Sequence, residues 1–202
     1  MESGNTFTRL RSEGRVARQA IIIKAAERIF AVKPFNNVSI RDIAREAGIS
    51  HASIYRYFPD QQSLFIEDFL QGAEKICTTL DGLIESTDPP DIVKVSDVYV
   101  TYLMDNDPYF RMMTHFMLDG SLSAEKIEKL NNAERRIFDQ FDRLFRKMNR
   151  PEPVRPLSHA LFAALNGVLI TFRNYPGRTP QAVRRHMLKV AGVLARSFCF
   201  GP

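Results

Sequence analysis

The stretch "SIRDIAREAGISHASIYRYF", Ser39 to Phe58, constrains this chain more than any other part of it. The Ser39 hydroxyl can cap the free N–H groups of a helix start, and Asp42 stands at the capping-box position three residues on. Gly48 suits the left-handed turn that ends such a helix. Ser50 opens a further helix, which ends before Pro59. Two short helices joined by one glycine turn have the spacing of a helix-turn-helix. The helical period directs Ile43, Ala44, Ala47, Ile49, Ile54 and Phe58 inward against a preceding helix. It leaves His51, Ala52, Tyr55 and Arg56 outward. A face of that kind offers hydrogen bonds to phosphates and base edges, and an arginine can pair with both acceptors of a guanine. The bland alternative is an amphipathic helical hairpin with no such role.

Charge placement favours the first reading. Residues 1–57 hold ten Lys/Arg against five Asp/Glu, a net of +5, while residues 58–202 hold eighteen of each. All the excess positive charge of the 202-residue chain thus lies in its first quarter, which points to a polyanion partner. A hydrophobic content of 45% suffices for a packed core. The two cysteines, Cys77 and Cys199, sit among apolar residues and read as buried free thiols in a reducing cytoplasm. The N-terminus shows no apolar signal segment, and the longest nearly apolar run, residues 161–172, is too short to span a bilayer. No membrane role is expected.

Helical periodicity dominates and strand alternation persists nowhere, so the fold class is all-α. Nine helices are expected. The first runs from about Arg15 to Val32, followed by the pair described above. A long fourth helix is capped by Asp60, and the fifth ends near Met104. The sixth is "PYFRMMTHFMLDG", and the seventh runs from Ser123 to about Met148. The eighth covers about Leu157–Asn174, and the ninth starts at Thr179-Pro180. The expected organisation is an N-terminal arm and three-helix helix-turn-helix DNA-binding domain, residues 1–58. A helical ligand-binding and dimerisation domain follows, residues 59–202.

At these residues the chain also resembles a known family. "IIIKAAERIFAVKPFNNVSIRDIAREAGISHASIYRYFPDQQSLF", residues 21–65, is similar to the DNA-binding domain of the TetR family of bacterial transcription repressors. The matching elements are Ala25-Ala26, Phe30, Ser39, Ile43-Ala44, Ala47 to Ser50, Tyr55-x-Tyr57-Phe58 and Leu64. The resemblance implies that Arg41 contacts a base or phosphate from the first turn of the second helix. It also implies that Ser50, His51, Ala52, Ser53, Tyr55, Arg56 and Tyr57 lie on a recognition helix. Pro34 and Phe35 replace the family's usual glycine and aromatic after the first helix. Gln61 replaces its usual lysine, which would leave a neutral phosphate contact there. The basic tail, Arg9, Arg11, Arg15 and Arg18, either reaches phosphates or the minor groove or stays a solvated arm. The family further implies a cytoplasmic homodimer on a palindromic double-stranded operator, released by a small hydrophobic or amphipathic effector.

No catalytic signature occurs, and no enzyme activity, cofactor or metal is expected. His115 and Asp119 stand four apart, but two mixed ligands make a weak metal site. The sixth helix, rich in Met and aromatics, suits an adaptable apolar pocket. Candidate lining residues are Tyr102, Phe110, Met113, His115, Phe116, Met117, Phe141, Phe145 and Phe162, with His115 and Tyr102 as partners for a polar end. For any one of these an ordinary core position is the simpler reading; as a group, within a family that binds small molecules, they suggest a pocket. Small residues on helix eight (Ala160, Ala164, Gly167, Thr171) and an apolar row on helix nine (Val183, Met187, Val190, Ala191, Gly192, Leu194, Ala195) suit a dimer seam; packing of the two helices within one chain would look similar in sequence, and two-fold DNA sites favour the dimer. The rival class is a helical-bundle enzyme or lipid-binding protein with a merely basic surface.

Overall fold

The computed structural model describes residues 3–33, 37–118, 120 and 122–199. Its helices are α1 (Ser3–Val32), α2 (Ile40–Glu46), α3 (His51–Ile54), α4 (Gln61–Glu85) and α5 (Ile92–Asp105), then α6 (Asp107–Leu118), α7 (Ala124–Lys147), α8 (Arg155–Phe172) and α9 (Pro180–Ser197). No strand occurs among the described residues, so the chain is all-α as expected. Pro34, Phe35 and Asp119 lie outside the described residues, as does the side chain of Arg11.

The helices pack as two compact units. One comprises Met1–Leu70 with Pro108–Lys126, the other Gln71–Asp107 with Ile127–Pro202. In the first unit, Ile22, Ala26 and Phe30 of α1 are buried together with Ile43, Ala44, Ile54, Phe58 and Phe65. The Phe30 and Phe65 rings meet edge-on with centroids 4.4 Å apart. Phe69 stacks on Tyr109 at 5.2 Å and meets Phe116 edge-on at 6.2 Å, so α6 shares this core. Lys126 donates to Asp60 Oδ2 and to Gln62 Oε1, each at 2.8 Å, while Asp60 Oδ1 accepts the Ser63 N–H at 2.7 Å.

Helix α1 begins at Ser3, twelve residues before the Arg15 expected from the sequence. The apolar period stops near Arg15, but a helix does not need a buried face to continue. Arg9 and Glu13 pair one turn apart at 3.5 Å, and the Ser12 hydroxyl donates to the Arg9 carbonyl at 2.7 Å.

The second unit is built around Tyr99, Phe141, Phe145, Leu161 and Leu165, all essentially inaccessible. Tyr99 meets Phe141 edge-on at 5.5 Å. Asn166 donates from Nδ2 to the Tyr99 hydroxyl at 3.1 Å and to the Phe162 carbonyl at 2.9 Å. Asp142 is buried but compensated, accepting from the Ser158 hydroxyl at 2.5 Å and pairing with Arg155 at 2.9 Å. Arg143 ties α7 to Asp81 and Glu85 of α4.

Most of the α9 row is buried within its own chain: Val183, Met187, Ala191, Gly192 and Ala195 are buried, Val190 and Leu194 are half-buried, and a Cβ on Gly192 would meet Val93 of α5 at 3.7 Å. Apolar spacing marks a buried face without saying which neighbour buries it. Cys199 is exposed, because it follows the end of α9, whereas Cys77 is buried. Burial pushes the Cys77 thiol up to about 11. One thiol per chain should therefore react with a chromogenic disulfide at pH 8 and two after unfolding; a single slow thiol whose reaction disappears in Cys77→Ala would contradict this.

Candidate nucleic-acid interface

The site begins with two capped helices and a glycine. The Ser39 hydroxyl accepts the Asp42 N–H at 3.2 Å, and Asp42 Oδ2 accepts from the Ser39 N–H at 3.3 Å, completing the capping box. Hydrogen bonding from Ser39 and then from Lys33 holds the Asp42 carboxyl below the usual carboxylate range. Gly48 sits at φ +68, the left-handed conformation that lets α2 end and the chain reverse. Ser50 then caps α3, its hydroxyl accepting the Ser53 N–H at 3.2 Å.

α3 is seated by Ile54, which is wholly buried, so the opposite face is fixed outward. His51, Ala52, Tyr55 and Arg56 are exposed. The α-helix itself ends at Ile54. Tyr55 keeps right-handed dihedrals (φ −62, ψ −17), and the N–H groups of Tyr57 and Phe58 both reach the Ile54 carbonyl, at 2.8 and 2.9 Å. Tyr55, Arg56 and Tyr57 therefore stand on the turn that closes α3 rather than in its body. Arg41 is exposed at the second residue of α2.

Other predicted contacts are partly committed elsewhere. Ser50 and Ser53 have their hydroxyls 2.8 Å apart within the cap. Gln61 is half-buried and donates from Nε2 to the Val38 carbonyl at 2.7 Å, so one amide N–H fastens α4 to the segment before α2. Tyr57 is half-buried, with the Arg15 guanidinium 5.8 Å over its ring.

The sequence did not disclose the company that Arg56 keeps. Ser12, Arg15, Arg18, Arg56 and Tyr57 together line an open cleft of about 380 Å³. The i, i+3, i+6 spacing of residues 12, 15 and 18 was the available signal, since such positions share a helix face.

The predicted pocket residues divide between the two units. Phe110, Met113 and Phe116 are buried in the first, His115 is half-buried there, and Met117 is 43% exposed. Phe141 and Phe145 are fully buried in the core of the second, with Phe162 nearly so. Tyr102 is also in the second unit, and its hydroxyl donates to the Gly72 carbonyl at 2.8 Å. No cluster of three or more metal-ligating side chains occurs among the described residues. No helix among them is long and apolar enough to cross a membrane.

Comparison with known proteins places the same residues in a wider set. Residues 22–67 match the family model described as bacterial regulatory proteins, tetR family. An uncharacterized HTH-type transcriptional regulator of Haemophilus influenzae is 44% identical over 50 residues, 25% of this chain and 24% of the relative. The HTH-type transcriptional regulator EthR of Mycolicibacterium smegmatis is 30% identical over 69 residues, 34% of this chain and 32% of the relative. The chain spans only about a quarter to two fifths of the curated relatives it matches first. Among solved structures, the TetR family regulator PfmR of Thermus thermophilus superposes with a TM-score of 0.68 at 20% identity, covering 87% of this chain and 97% of that one. FadR of Bacillus subtilis, in complex with stearoyl-CoA, gives 0.69 at 18% identity, over 85% and 96% of the two chains. A putative regulator of Saccharomonospora viridis, in complex with choline, gives 0.68 at 20% identity, over 88% and 95%. At such identities the likeness is one of fold.

Proposed function

Since the chain belongs to the TetR family of bacterial regulatory proteins, we propose that it is a cytoplasmic, ligand-responsive repressor that binds a palindromic duplex as a homodimer. The exposed face of His51, Ala52 and Tyr55, held outward by buried Ile54, is the observation that supports this most. Arg41, Ser50, Ser53, Arg56 and Tyr57 surround it. A dimer would set two such faces about one helical turn of DNA apart, roughly 34–36 Å. Selection of bound duplexes from a random library tests the reading. A two-fold symmetric consensus is the expected result, and recovery of no sequence at low salt would refute it.

The dimer seam we propose lies mainly on α8. Ala160, Ala163, Gly167, Ile170 and Thr171 share one face, Ile170 is 60% exposed, and a Cβ on Gly167 would meet nothing in its own chain. Val193 of α9, 55% exposed, is a further apolar group. Ile170→Glu should convert sedimenting dimers to monomers without loss of helix; dimers that persist would move the seam elsewhere.

For the effector, the second unit offers Phe162 with Phe138, rings 4.9 Å apart, beside Asn166, whose Oδ1 is buried with no partner among the described residues. An unpaired buried acceptor favours a ligand that brings a donor to an apolar site. Long-chain acyl thioesters and choline, the kinds of molecule held by the FadR and Saccharomonospora structures, form a first thermal-shift panel. A ligand that relieves repression tenfold must prefer the DNA-free form by about 1.4 kcal/mol, and the operator must weaken the ligand equally.

A further inference from the structure

The α1 face that is buried as Ile22, Ala26 and Phe30 continues toward the N-terminus as Ser12, Arg15 and Arg18. Where the apolar contacts stop, arginines take over the same side of the helix. Arg56 and Tyr57, from the turn after α3, close the cleft opposite them. Among the described residues no carboxylate lines it and none of the three guanidiniums forms an ion pair. Three other arginines of this unit are paired. Arg9 pairs with Glu13, Arg28 with Glu46 at 2.5 Å, and Arg45 with Asp42 at 2.9 Å.

Three like charges gathered without a counter-charge repel one another and weaken the compact state. An anion that enters the cleft removes that cost. The Ser12 hydroxyl spends its proton on the Arg9 carbonyl, so the donors offered to an anion are chiefly the guanidinium forks. Such forks match the geometry of phosphate oxygens and bind them in a bidentate manner. Arg56 donates from Nη2 to the Ser53 hydroxyl at 3.5 Å, a long bond that engages one of its five N–H donors and leaves the others for an anion.

We propose that Arg15, Arg18 and Arg56 form one phosphate-binding cleft that grips the DNA backbone, so that Arg56 holds a phosphate instead of reading a base. This rests on the DNA-binding reading above and assigns base readout to His51, Ala52 and Tyr55. The cleft is open and adjoins that exposed face, so a duplex seated on the face brings its own phosphates to the guanidiniums. α1 is accordingly a second DNA-contacting element instead of a solvated arm.

Salt titration of binding to a selected operator and to a scrambled duplex tests the assignment. Arg56→Ala and the double variant Arg15→Ala/Arg18→Ala should each weaken both duplexes by similar factors. The slope of log K against log salt should become shallower by about 0.9 for each phosphate no longer neutralised. Arg56→Lys should restore most of the slope, because a point charge still neutralises a phosphate. Arg28→Ala, at an exposed position already paired with Glu46, should leave the slope unchanged. The substituted side chains are exposed, so circular dichroism should show a parent-like fold for all variants.

An Arg56→Ala variant that keeps the salt slope but no longer discriminates at one base pair would overturn the proposal while DNA binding stands. So would unchanged affinity in the Arg15/Arg18 variant. A parent that binds neither duplex at low salt would sink both this inference and the reading beneath it. Isothermal titration with inorganic phosphate separates the remaining source: saturable binding that Arg56→Ala abolishes would assign the cleft to a free anion and overturn the backbone assignment.

Discussion

Replacing Tyr55 with aspartate is expected to leave helical content and melting temperature close to the parent's while abolishing most operator affinity. Tyr55 is 52% exposed and follows the last residue of α3, so its side chain supports little of the fold. Surface substitutions of this kind usually change stability by no more than about 0.5 kcal/mol. Removing a base-reading side chain costs about 1–3 kcal/mol, and a dimer bears that cost twice, which amounts to a weakening on the order of a hundredfold or more. The new carboxylate adds repulsion from the phosphates. Tyr55→Phe separates the ring from its hydroxyl: a ring against a thymine methyl survives the change, whereas a hydroxyl bonded to DNA does not. Electrophoretic mobility shift and circular dichroism measured together decide the matter. Parent-like affinity in Tyr55→Asp would remove this residue from the interface.

The largest stability effect is expected at Phe141. Its ring is completely buried in the second unit and meets the Tyr99 ring edge-on, so truncation opens a cavity lined by side chains that cannot all collapse into it. Phe141→Ala should cost about 3–5 kcal/mol, a large part of the total for a domain of this size. Urea denaturation followed by helical ellipticity gives the number. The magnitude also decides between two roles that sequence alone left side by side. A packed core ring carries the full cost, while a ring that faces an open ligand cavity has few packed neighbours to give up on truncation. A change below about 1 kcal/mol would place Phe141 on a cavity wall and return it to the effector site. Phe145, equally buried, provides the internal comparison.

Much of the first unit could be read from the sequence because the interactions that set it are local. The Ser39–Asp42 box, the positive φ of Gly48 and the Ser50 cap each involve residues within about one helical turn. A short list of side chains satisfies such geometry, so their presence at the right spacing announces it. The outward placement of His51, Tyr55 and Arg56 follows from the burial of Ile54 and the helical period. Which partners those side chains meet was decided by tertiary structure. The Gln61 amide finds the Val38 carbonyl 23 residues away, and the Tyr102 hydroxyl finds Gly72 at a separation of 30. Arg15 and Arg18 share a cleft with Arg56 only because α1 passes the turn after α3. The buried row of α9 was visible as a row, yet whether its own chain or a second copy covers it was left open. Periodicity records that a face is removed from water, since the apolar side chains themselves carry that free energy. It carries no record of what removes it, because the hydrophobic effect is indifferent to the identity of the neighbour, and the chain's path through space alone selects one.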